Sequence, residues 1–314
     1  MTAGKRVVVL GGSRFVGRHL VARLRAAGHA VTVLSRNGHL CRHTAVEPGV
    51  PVVTLDVYDP DALARAFVGA DAAVNLVGIL NEPGFGGSGF ERAHVVLTSH
   101  VISACLQSGT RRLLQMSALN AGRGSSHYLR TRGIAESRVR ESGLDWTIFQ
   151  PSVIFGRGDG LFQRFAALLR IAPVLPLAKP DARFAPVYVG DVAEAITQCL
   201  ARPQTVGQCF ELYGDQVLRL REIVSYTARC MGLRRWVIGL PDWAARMQAM
   251  LMDFVPGKPF STDNYRSLQV DSVGGVDGLF QLGIAKTPID AVVPPLLGHA
   301  GRQVELDALR ARLR

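Results

Sequence analysis

A glycine-rich turn between the first strand-like run and the first helical pattern constrains this chain most. The apolar run Val7–Leu10 is followed by G-G-S-R-F-V-G, and apolar residues then recur every four positions at Val16, Leu20 and Leu24. Such a turn lets backbone N–H groups at a helix N-terminus approach an anionic diphosphate. We therefore predict that a dinucleotide binds at Gly11, Gly12, Ser13, Arg14, Phe15, Val16 and Gly17.

The N-terminal half continues as short β-branched runs that alternate with helical patterns. This order predicts an α/β fold with a doubly wound parallel Rossmann-like sheet and a smaller C-terminal lobe. We expect strands at Arg6–Leu10, Ala30–Leu34, Val52–Leu55, Ala72–Val77, Arg112–Met116 and Trp146–Phe149. We expect helices at Phe15–Ala27, Pro60–Phe67, Phe90–Gln107 and Tyr128–Ser142.

Glycines and prolines break this rhythm after Pro151. We expect residues 1–155 to form the NAD(P)-binding domain, with 184–202 returning to it. Residues 156–314 would mainly form the C-terminal lobe, on the substrate or partner side. In the returning segment, Pro186–Val189 is predicted to be a strand, and Asp191 is predicted to cap the following helix through Leu200.

The second predicted strand ends in Ser35 and Arg36 rather than in an acid. Proteins that prefer NAD(H) usually place an acid there to bind the ribose 2′-hydroxyl. A guanidinium fork instead matches the oxygens of a 2′-phosphate, and Arg14 could add to it. We expect NADP(H) to be preferred, with NAD(H) as the alternative.

Two further pairs of candidate cofactor-binding residues lie at the ends of the third and fourth predicted strands. Asp56 and Val57 would flank the adenine, and Val77 and Gly78 would lie beneath the ribose and phosphates. The alternative, in which Asp56 is a turn residue and Gly78 a point of close packing, has equal weight.

The fifth predicted strand ends at Ser117, and Tyr128 and Arg132 follow on one helix face. This pattern is typical of a Ser–Tyr–Lys proton-transfer set. A free phenol has a pKa of about 10, so a neighbouring cation must favour its anion. Arg132 stands where lysine is usual, and its planar group cannot give the same geometry. Tyr128 is therefore either the acid/base or only a cofactor contact or a helix-surface tyrosine.

Together these features resemble the extended and atypical short-chain dehydrogenase/reductases, a family that includes NAD-dependent epimerases and dehydratases. The chain is most similar to the group related to alpha-subcomplex subunit nine of respiratory complex I (NADH:ubiquinone oxidoreductase). The runs that carry this resemblance are Asn75–Glu82, Gln115–Ala121, Tyr128–Arg132, Asp145–Gly156, Gly158–Phe165 and Phe184–Ala193.

The resemblance implies a tightly held nicotinamide cofactor in a respiratory or quinone-related setting, often without demonstrated turnover. It also implies that Pro151, Ser152 and Val153 meet the nicotinamide through backbone groups. Arg14, Arg132 and Gln150 depart from the usual pattern, and Arg132 puts oxidoreductase activity most in doubt. An accessory or assembly protein and a working oxidoreductase or epimerase are both open hypotheses.

The amino-acid composition limits the partners that we expect for this protein. The net charge is +11, and only four of the 36 basic residues are lysines, which favours anionic partners. An RNA-binding function would rest on charge alone, so nucleic acid is not an expected partner.

The cysteines indicate a cytoplasmic protein, because they are scattered and form no C-x-x-C pair. The sequence also has no apolar run long enough to span a membrane. Because only six residues precede Val7 in this sequence, we expect no targeting segment there. Peripheral association with the inner membrane is the alternative location.

Large apolar residues recur at helical spacing between Trp243 and Phe254, downstream of Arg234-Arg235-Trp236. We expect this stripe to pack on its own lobe; an anionic membrane surface or a respiratory-complex subunit is the alternative partner. The tail Val304–Arg314 has the pattern of a short amphipathic helix. His39, Cys41 and His43 lack a fourth ligand, so we expect no metal site.

Overall fold

The computed structural model describes residues 4–36 and 49–297. At its centre, seven strands form one sheet in which every neighbouring pair is parallel. These strands are β1 (Arg6–Leu10), β2 (Ala30–Ser35), β3 (Val52–Thr54), β4 (Ala72–Asn75), β5 (Arg112–Met116), β6 (Asp145–Pro151) and β11 (Gln208–Leu212). Their order across the sheet is β11-β6-β5-β4-β1-β2-β3. Chain order reverses between β1 and β4, where α/β sheets open a crevice for a ligand.

Helices cover both faces of this sheet. One face packs against α1 (Phe15–Ala26) and α6 (Val189–Ala201). The other face packs against α2 (Pro60–Phe67) and α3 (Leu97–Ser108), and α4 (His127–Arg140) adds Val139 to that core. The predicted doubly wound parallel fold is therefore confirmed.

The helical segments that lead into α3 are irregular. A helical turn at Ser88–Phe90 leads into a π-helix at Glu91–Val96, and α3 continues from Leu97. Such wide turns are rare and often lie at functional sites. Gly109, at φ 76°, ends the helix in the left-handed conformation that favours glycine.

The C-terminal lobe consists of short elements around small apolar clusters. Its strands pair two by two: β7 (Ile154–Phe155) with β10 (Val187–Tyr188), β9 (Arg183–Phe184) with β12 (Leu218–Arg219), and β8 (Val174–Leu177) with β13 (Trp236–Gly239). Its helices are α5 (Phe162–Ile171), α7 (Leu220–Cys230), α8 (Asp242–Met252), α9 (Thr262–Ser267), α10 (Gly278–Gln281) and α11 (Ile289–Leu297).

Several details differ from the sequence-based expectations. Strand β11 was not predicted, yet it completes the central sheet by pairing with β6. Asp191 does not cap α6, because the helix begins at Val189. The Asp191 carboxylate instead accepts hydrogen bonds from the amide and hydroxyl of Thr287, which ties the C-terminal segment to this helix. The predicted strand Pro186–Val189 is limited to Val187–Tyr188 and pairs with β7 outside the central sheet.

His39, Cys41, His43 and the predicted tail helix Val304–Arg314 lie outside the described residues. Within residues 4–36 and 49–297, we find no helix with the length and apolar character needed to span a bilayer.

Candidate functional site

The glycine turn after β1 has the close backbone packing that its sequence predicts. Gly11 adopts φ 80°, and the Arg14 amide donates a hydrogen bond to its carbonyl. A Cβ atom on Gly17 would lie 2.2 Å from the Gly11 carbonyl oxygen, so only glycine lets α1 begin this close to the turn. Helix α1 then directs its unpaired first-turn amides toward the carboxyl edge of the sheet.

A cavity of about 460 Å³ opens at this edge, between the turn, the ends of the central strands and α5. Most of the predicted site residues line it together. These are Gly11, Arg14, Phe15, Val16, Gly17, Gly78, Ser117, Tyr128, Arg132, Pro151, Ser152 and Val153. Arg164 and Phe165 of α5 also line the cavity and were not predicted from the sequence.

The remaining predicted residues do not line this cavity. Gly12 is buried, and a Cβ atom there would lie 2.8 Å from a Val33 methyl group. Ser13 lies within the turn and Val77 in the loop after β4. Ser35 and Arg36 end and follow β2, while Asp56 and Val57 follow β3.

An aromatic side chain near two arginines lies beyond the ends of these outer strands. Tyr58 has the Arg92 guanidinium carbon 4.2 Å from its ring centroid, and the Arg36 carbon lies 5.9 Å from the same centroid. The Asp56 carboxylate accepts from the Tyr58 amide, so Asp56 does serve as a turn residue. Val57 is buried in the core rather than open to a ligand. Neither Tyr58 nor Arg92 was predicted as a site residue, because the two are far apart in the sequence and Arg92 lies on the π-helix.

Arg132 is buried and extends beneath the loop after β4. Its Nη1 donates to the carbonyls of Met116 at 2.9 Å and Val77 at 3.3 Å. Its Nη2 lies 1.9 Å from where a Cβ atom on Gly78 would be, so Gly78 provides the room for the guanidinium. Its Nε is buried without a hydrogen-bond partner among the described residues.

Ser117 also has a fixed partner. Its hydroxyl donates to the buried Glu136 carboxylate at 2.5 Å. Gln150 donates to the same oxygen, and Arg140 donates to the other oxygen of Glu136. The Ser117 proton is thus directed at Glu136, which leaves the hydroxyl oxygen as an acceptor toward the cavity.

Tyr128 is positioned by residues of two other elements, the C-terminal lobe and the π-helix. The Asp263 carboxylate, from the C-terminal lobe, accepts hydrogen bonds from the His127 and Tyr128 amides at the start of α4. The Tyr128 ring meets the ring of His94 edge to face, with centroids 5.6 Å apart. The Arg132 guanidinium carbon lies 5.6 Å from the Tyr128 ring centroid, so this cation remains beside the phenol.

His94, on the π-helix, is a buried neutral imidazole. The Ile79 amide donates to its Nε2, so its Nδ1 carries the proton and donates to Thr131. Thr131 in turn donates to the His127 carbonyl. Burial, together with the nearby Arg132 cation, lowers the pKa of His94 to about 2. This chain of hydrogen bonds joins the loop after β4 to the helix that carries Tyr128.

The segment Pro151–Val153 lines the cavity, although Ser152 is already bonded within the protein. Its amide donates to the Leu212 carbonyl, and its hydroxyl donates to the Ser272 carbonyl. A ligand contact at this segment would therefore not use the Ser152 amide or its hydroxyl proton.

Gly78→Ala should displace the Arg132 guanidinium, because the new methyl group would occupy its place. We expect the free energy of unfolding to fall by about 1–3 kcal/mol. In the Arg132→Lys background the same change should cost about 1 kcal/mol less, as measured by a double-mutant cycle in urea. Gly84→Ala, which adds a methyl group in open space, is the control and should change stability by less than about 0.5 kcal/mol. If Gly78→Ala lowered the free energy of unfolding equally in both backgrounds, the contact between position 78 and Arg132 would be refuted.

His94 should make the protein less stable as the pH falls. The unfolded chain binds a proton near pH 6.5, whereas the folded chain does not until about pH 2. Stability from this group is thus complete above pH 6.5 and is lost below it, by about 2 kcal/mol between pH 7 and pH 5. Denaturation of wild type and His94→Asn at both values measures the effect, and the stability difference between the two proteins should change by that amount. Parallel pH profiles would show that His94 protonates in the folded state.

Comparison with known proteins agrees with this geometry. A family model described as NAD(P)H-binding matches residues 11–203. Among curated proteins, NADH dehydrogenase (ubiquinone) 1 alpha subcomplex subunit 9, mitochondrial, of Mus musculus is 27% identical over 298 residues, which cover 92% of this chain and 78% of that protein. Ceramide reductase of Caulobacter vibrioides is 29% identical over 256 residues, covering 79% of this chain and 77% of that protein.

Solved structures share the fold at lower identity. A dTDP-glucose 4,6-dehydratase from Streptomyces venezuelae with NAD bound has a TM-score of 0.75 and 20% identity, covering 95% of this chain and 97% of that chain. The UDP-glucose 4-epimerase of Thermus thermophilus in complex with NAD has a TM-score of 0.64 and 21% identity, covering 83% of this chain and 99% of that chain.

The resemblance seen in the sequence is therefore confirmed. The protein has the Rossmann-type fold of the extended short-chain dehydrogenase/reductases and is homologous to complex I alpha-subcomplex subunit nine. With a family model that spans more than half of its length, the chain belongs to the NAD(P)H-binding family.

Proposed function

We propose that the protein holds NADP(H) with little or no turnover and acts as an accessory or assembly factor of respiratory complex I or of quinone metabolism. One observation carries the low turnover. The cation expected to assist Tyr128 is Arg132, and its Nη1 is bonded to the carbonyls of Val77 and Met116.

The residues at the carboxyl edge of the sheet suit a dinucleotide. Gly11 and Gly17 leave the start of α1 open to a diphosphate, and Arg14 lies at the same cavity. Segment Pro151–Val153 forms the far wall, where the nicotinamide would lie. When bound, the nicotinamide supplies the hydride chemistry. The protein's own contribution would be to bind, orient and shield it.

The preference for NADP(H) rests on positive charge at the adenine end. Arg36 replaces the acid that would bind a ribose 2′-hydroxyl, and Arg92, from a separate segment, lies near the same Tyr58 ring. Two guanidinium groups near one position favour a doubly charged phosphate ester over a neutral hydroxyl. We therefore add Arg92 to the proposed NADP(H) contacts.

Tyr128 lacks the neighbouring groups that usually assist proton transfer. A lysine ammonium could swing toward the phenol, whereas the Arg132 guanidinium is planar and held under Gly78. The Ser117 hydroxyl points its proton at Glu136, so it can accept but not donate a hydrogen bond to a substrate carbonyl. Both features weaken general-acid catalysis of carbonyl reduction.

The proposed setting comes from the relatives. Several are named as subunits of mitochondrial NADH dehydrogenase, and this chain covers 78% of the mouse protein's length. We propose respiratory-complex subunits as partners and a cytoplasmic location, peripheral on the inner membrane.

An active NAD(P)H-dependent oxidoreductase or epimerase with Tyr128 as acid/base is the second candidate. Ser117, Tyr128 and Arg132 line one cavity, and the cation stays 5.6 Å from the Tyr128 ring centroid. The Caulobacter relative is named ceramide reductase, which also favours this candidate.

Removing either arginine at the adenine end should weaken NADPH binding selectively. We expect Arg36→Ala and Arg92→Ala each to raise the Kd for NADPH about 10- to 100-fold, because each loses a charged hydrogen bond to phosphate. The Kd for NADH should change by less than about threefold. Fluorescence titration measures both, with Arg25→Ala on the exposed side of α1 as the control. Tighter NADH than NADPH binding by the wild type would refute the preference.

The low turnover is tested by mixing NADPH-loaded protein with quinone analogues and with nucleotide sugars. We expect wild type and Tyr128→Phe to consume NADPH or convert the sugar equally slowly, while both retain the cofactor through gel filtration. If the wild type turns over and Tyr128→Phe loses about 100-fold or more, Tyr128 is the acid/base and the second candidate is correct. In a protein with Tyr128 intact, Arg132→Lys should raise the turnover only if Arg132 limits it.

A further inference from the structure

Helix α8 presents its large apolar side chains outward. Trp243 and Met247 lie one turn apart, and Met250, Leu251 and Phe254 continue the same face at helical spacing. All five are at least half exposed; Trp243 is 68% and Phe254 is 79% exposed. The expectation that this stripe packs on its own lobe is therefore wrong.

The buried side of α8 carries only small residues. Ala245 and Ala249 face inward and pack against Ala178 and Tyr265. A helix that stabilises its own domain normally buries its largest apolar residues. In α8 this arrangement is reversed, so the outward residues are not explained by the stability of the lobe.

The β8–β13 ribbon adds a second exposed apolar surface beside α8. Its inner side chains Leu175 and Leu177 are buried, whereas Trp236 and Val174, which pair across the strands, point outward. Trp236 is 75% exposed. The Gln248 side-chain amide lies 3.5 Å from the Pro176 carbonyl oxygen, so α8 adjoins this ribbon.

The glycine-rich loop Pro83–Gly89 extends the surface at the other end of α8. The Phe85 ring contacts the Phe254 ring, with centroids 5.7 Å apart, and Phe85 is itself exposed. We call the outward residues of α8, the outward residues of the ribbon and Phe85 the apolar face. Isolated exposed apolar residues are ordinary, but a group of them on adjoining elements, with two tryptophans, marks an interaction site.

Arginines flank the apolar face: Arg234 and Arg235 directly precede Trp236, and Arg170 lies in the last turn of α5 next to the exposed Ile171. Asp253, which precedes Phe254, accepts hydrogen bonds from Thr262. Among the described residues, none of these three arginines forms an ion pair with a carboxylate. The acid at the start of α8, Asp242, is neutralised by Lys179 at 2.6 Å and Arg246 at 2.9 Å.

We propose that the apolar face docks on the surface of an anionic phospholipid bilayer. Tryptophan, phenylalanine and methionine side chains would enter the boundary between headgroups and acyl chains, and the neighbouring arginines would bind lipid phosphates. Charge complementarity selects this occupant: among the described residues these cations lack acidic partners, and the whole chain carries a net charge of +11. The proposal does not depend on the cofactor or on turnover.

Flotation with vesicles tests the docking. We expect the wild type to float with phosphatidylcholine vesicles that contain phosphatidylglycerol, much less with pure phosphatidylcholine, and less as salt rises. The double variant Trp243→Ser/Phe254→Ser should lose about tenfold or more in the partition coefficient. The matched control is Phe280→Ser, which removes an 81% exposed aromatic residue on α10 and should bind like the wild type.

The charged part is tested separately. Arg170→Gln and Arg234→Gln should each weaken binding to the anionic vesicles about fivefold, whereas Arg25→Gln on α1 should not. NADPH retention is measured for every variant and should stay at the wild-type level, which separates a failure of docking from a failure of the proposed function.

Three outcomes would overturn the proposal. The wild type stays out of anionic vesicles; the double variant floats as the wild type does; or the wild type self-associates through this face without binding vesicles, with the double variant monomeric by analytical ultracentrifugation. In the last case a second copy of the chain covers the face.

Discussion

The contact between Arg132 and the loop after β4 is the interaction on which the site depends. The guanidinium lies where a side chain at position 78 would be, and it bonds carbonyl groups that follow or end β4 and β5. It therefore fixes the loop under the cofactor cavity, and it also places a cation beside Tyr128. A residue that binds the backbone in this way gives up the mobility that a catalytic lysine uses. Under the proposed function, the same contact would both order the cavity and weaken proton transfer at Tyr128.

Helix α4 connects this contact to the rest of the molecule. Its N-terminus is bonded to Asp263 of the C-terminal lobe, and its middle carries Thr131, which holds His94. One turn beyond Arg132, the Glu136 carboxylate accepts a hydrogen bond from the Ser117 hydroxyl. Each residue of the expected catalytic set is therefore bonded to another element: Ser117 and Arg132 through their side chains, and Tyr128 through its backbone amide. The bonds of Ser117 and Arg132 occupy side-chain donors, whereas the Tyr128 bond leaves its phenol unaffected.

The sequence predicted the sheet well because local patterns determine it: an apolar run, a glycine turn and a four-residue repeat place β1, the turn and α1 almost to the residue. Strand β11 was missed because Q-C-F-E-L lies outside the alternating half of the chain and is recognisable only by its pairing with β6. Arg92 and Tyr58 were missed because they meet only in the folded protein. Periodicity also showed that one face of α8 is apolar, but it could not show whether that face is covered, since coverage depends on tertiary contacts.

Helix α5 relates the cavity to the apolar face. Its first turns supply Arg164 and Phe165 to the cavity wall, while Leu169 packs beneath the β8–β13 ribbon and Ile171 ends the helix in solvent. The ribbon continues from this end, because the Trp236 amide donates to the Pro173 carbonyl. The two ends of α5 therefore adjoin the cavity wall and the ribbon that carries Trp236, which places the proposed cofactor site and the proposed membrane surface on the same helix.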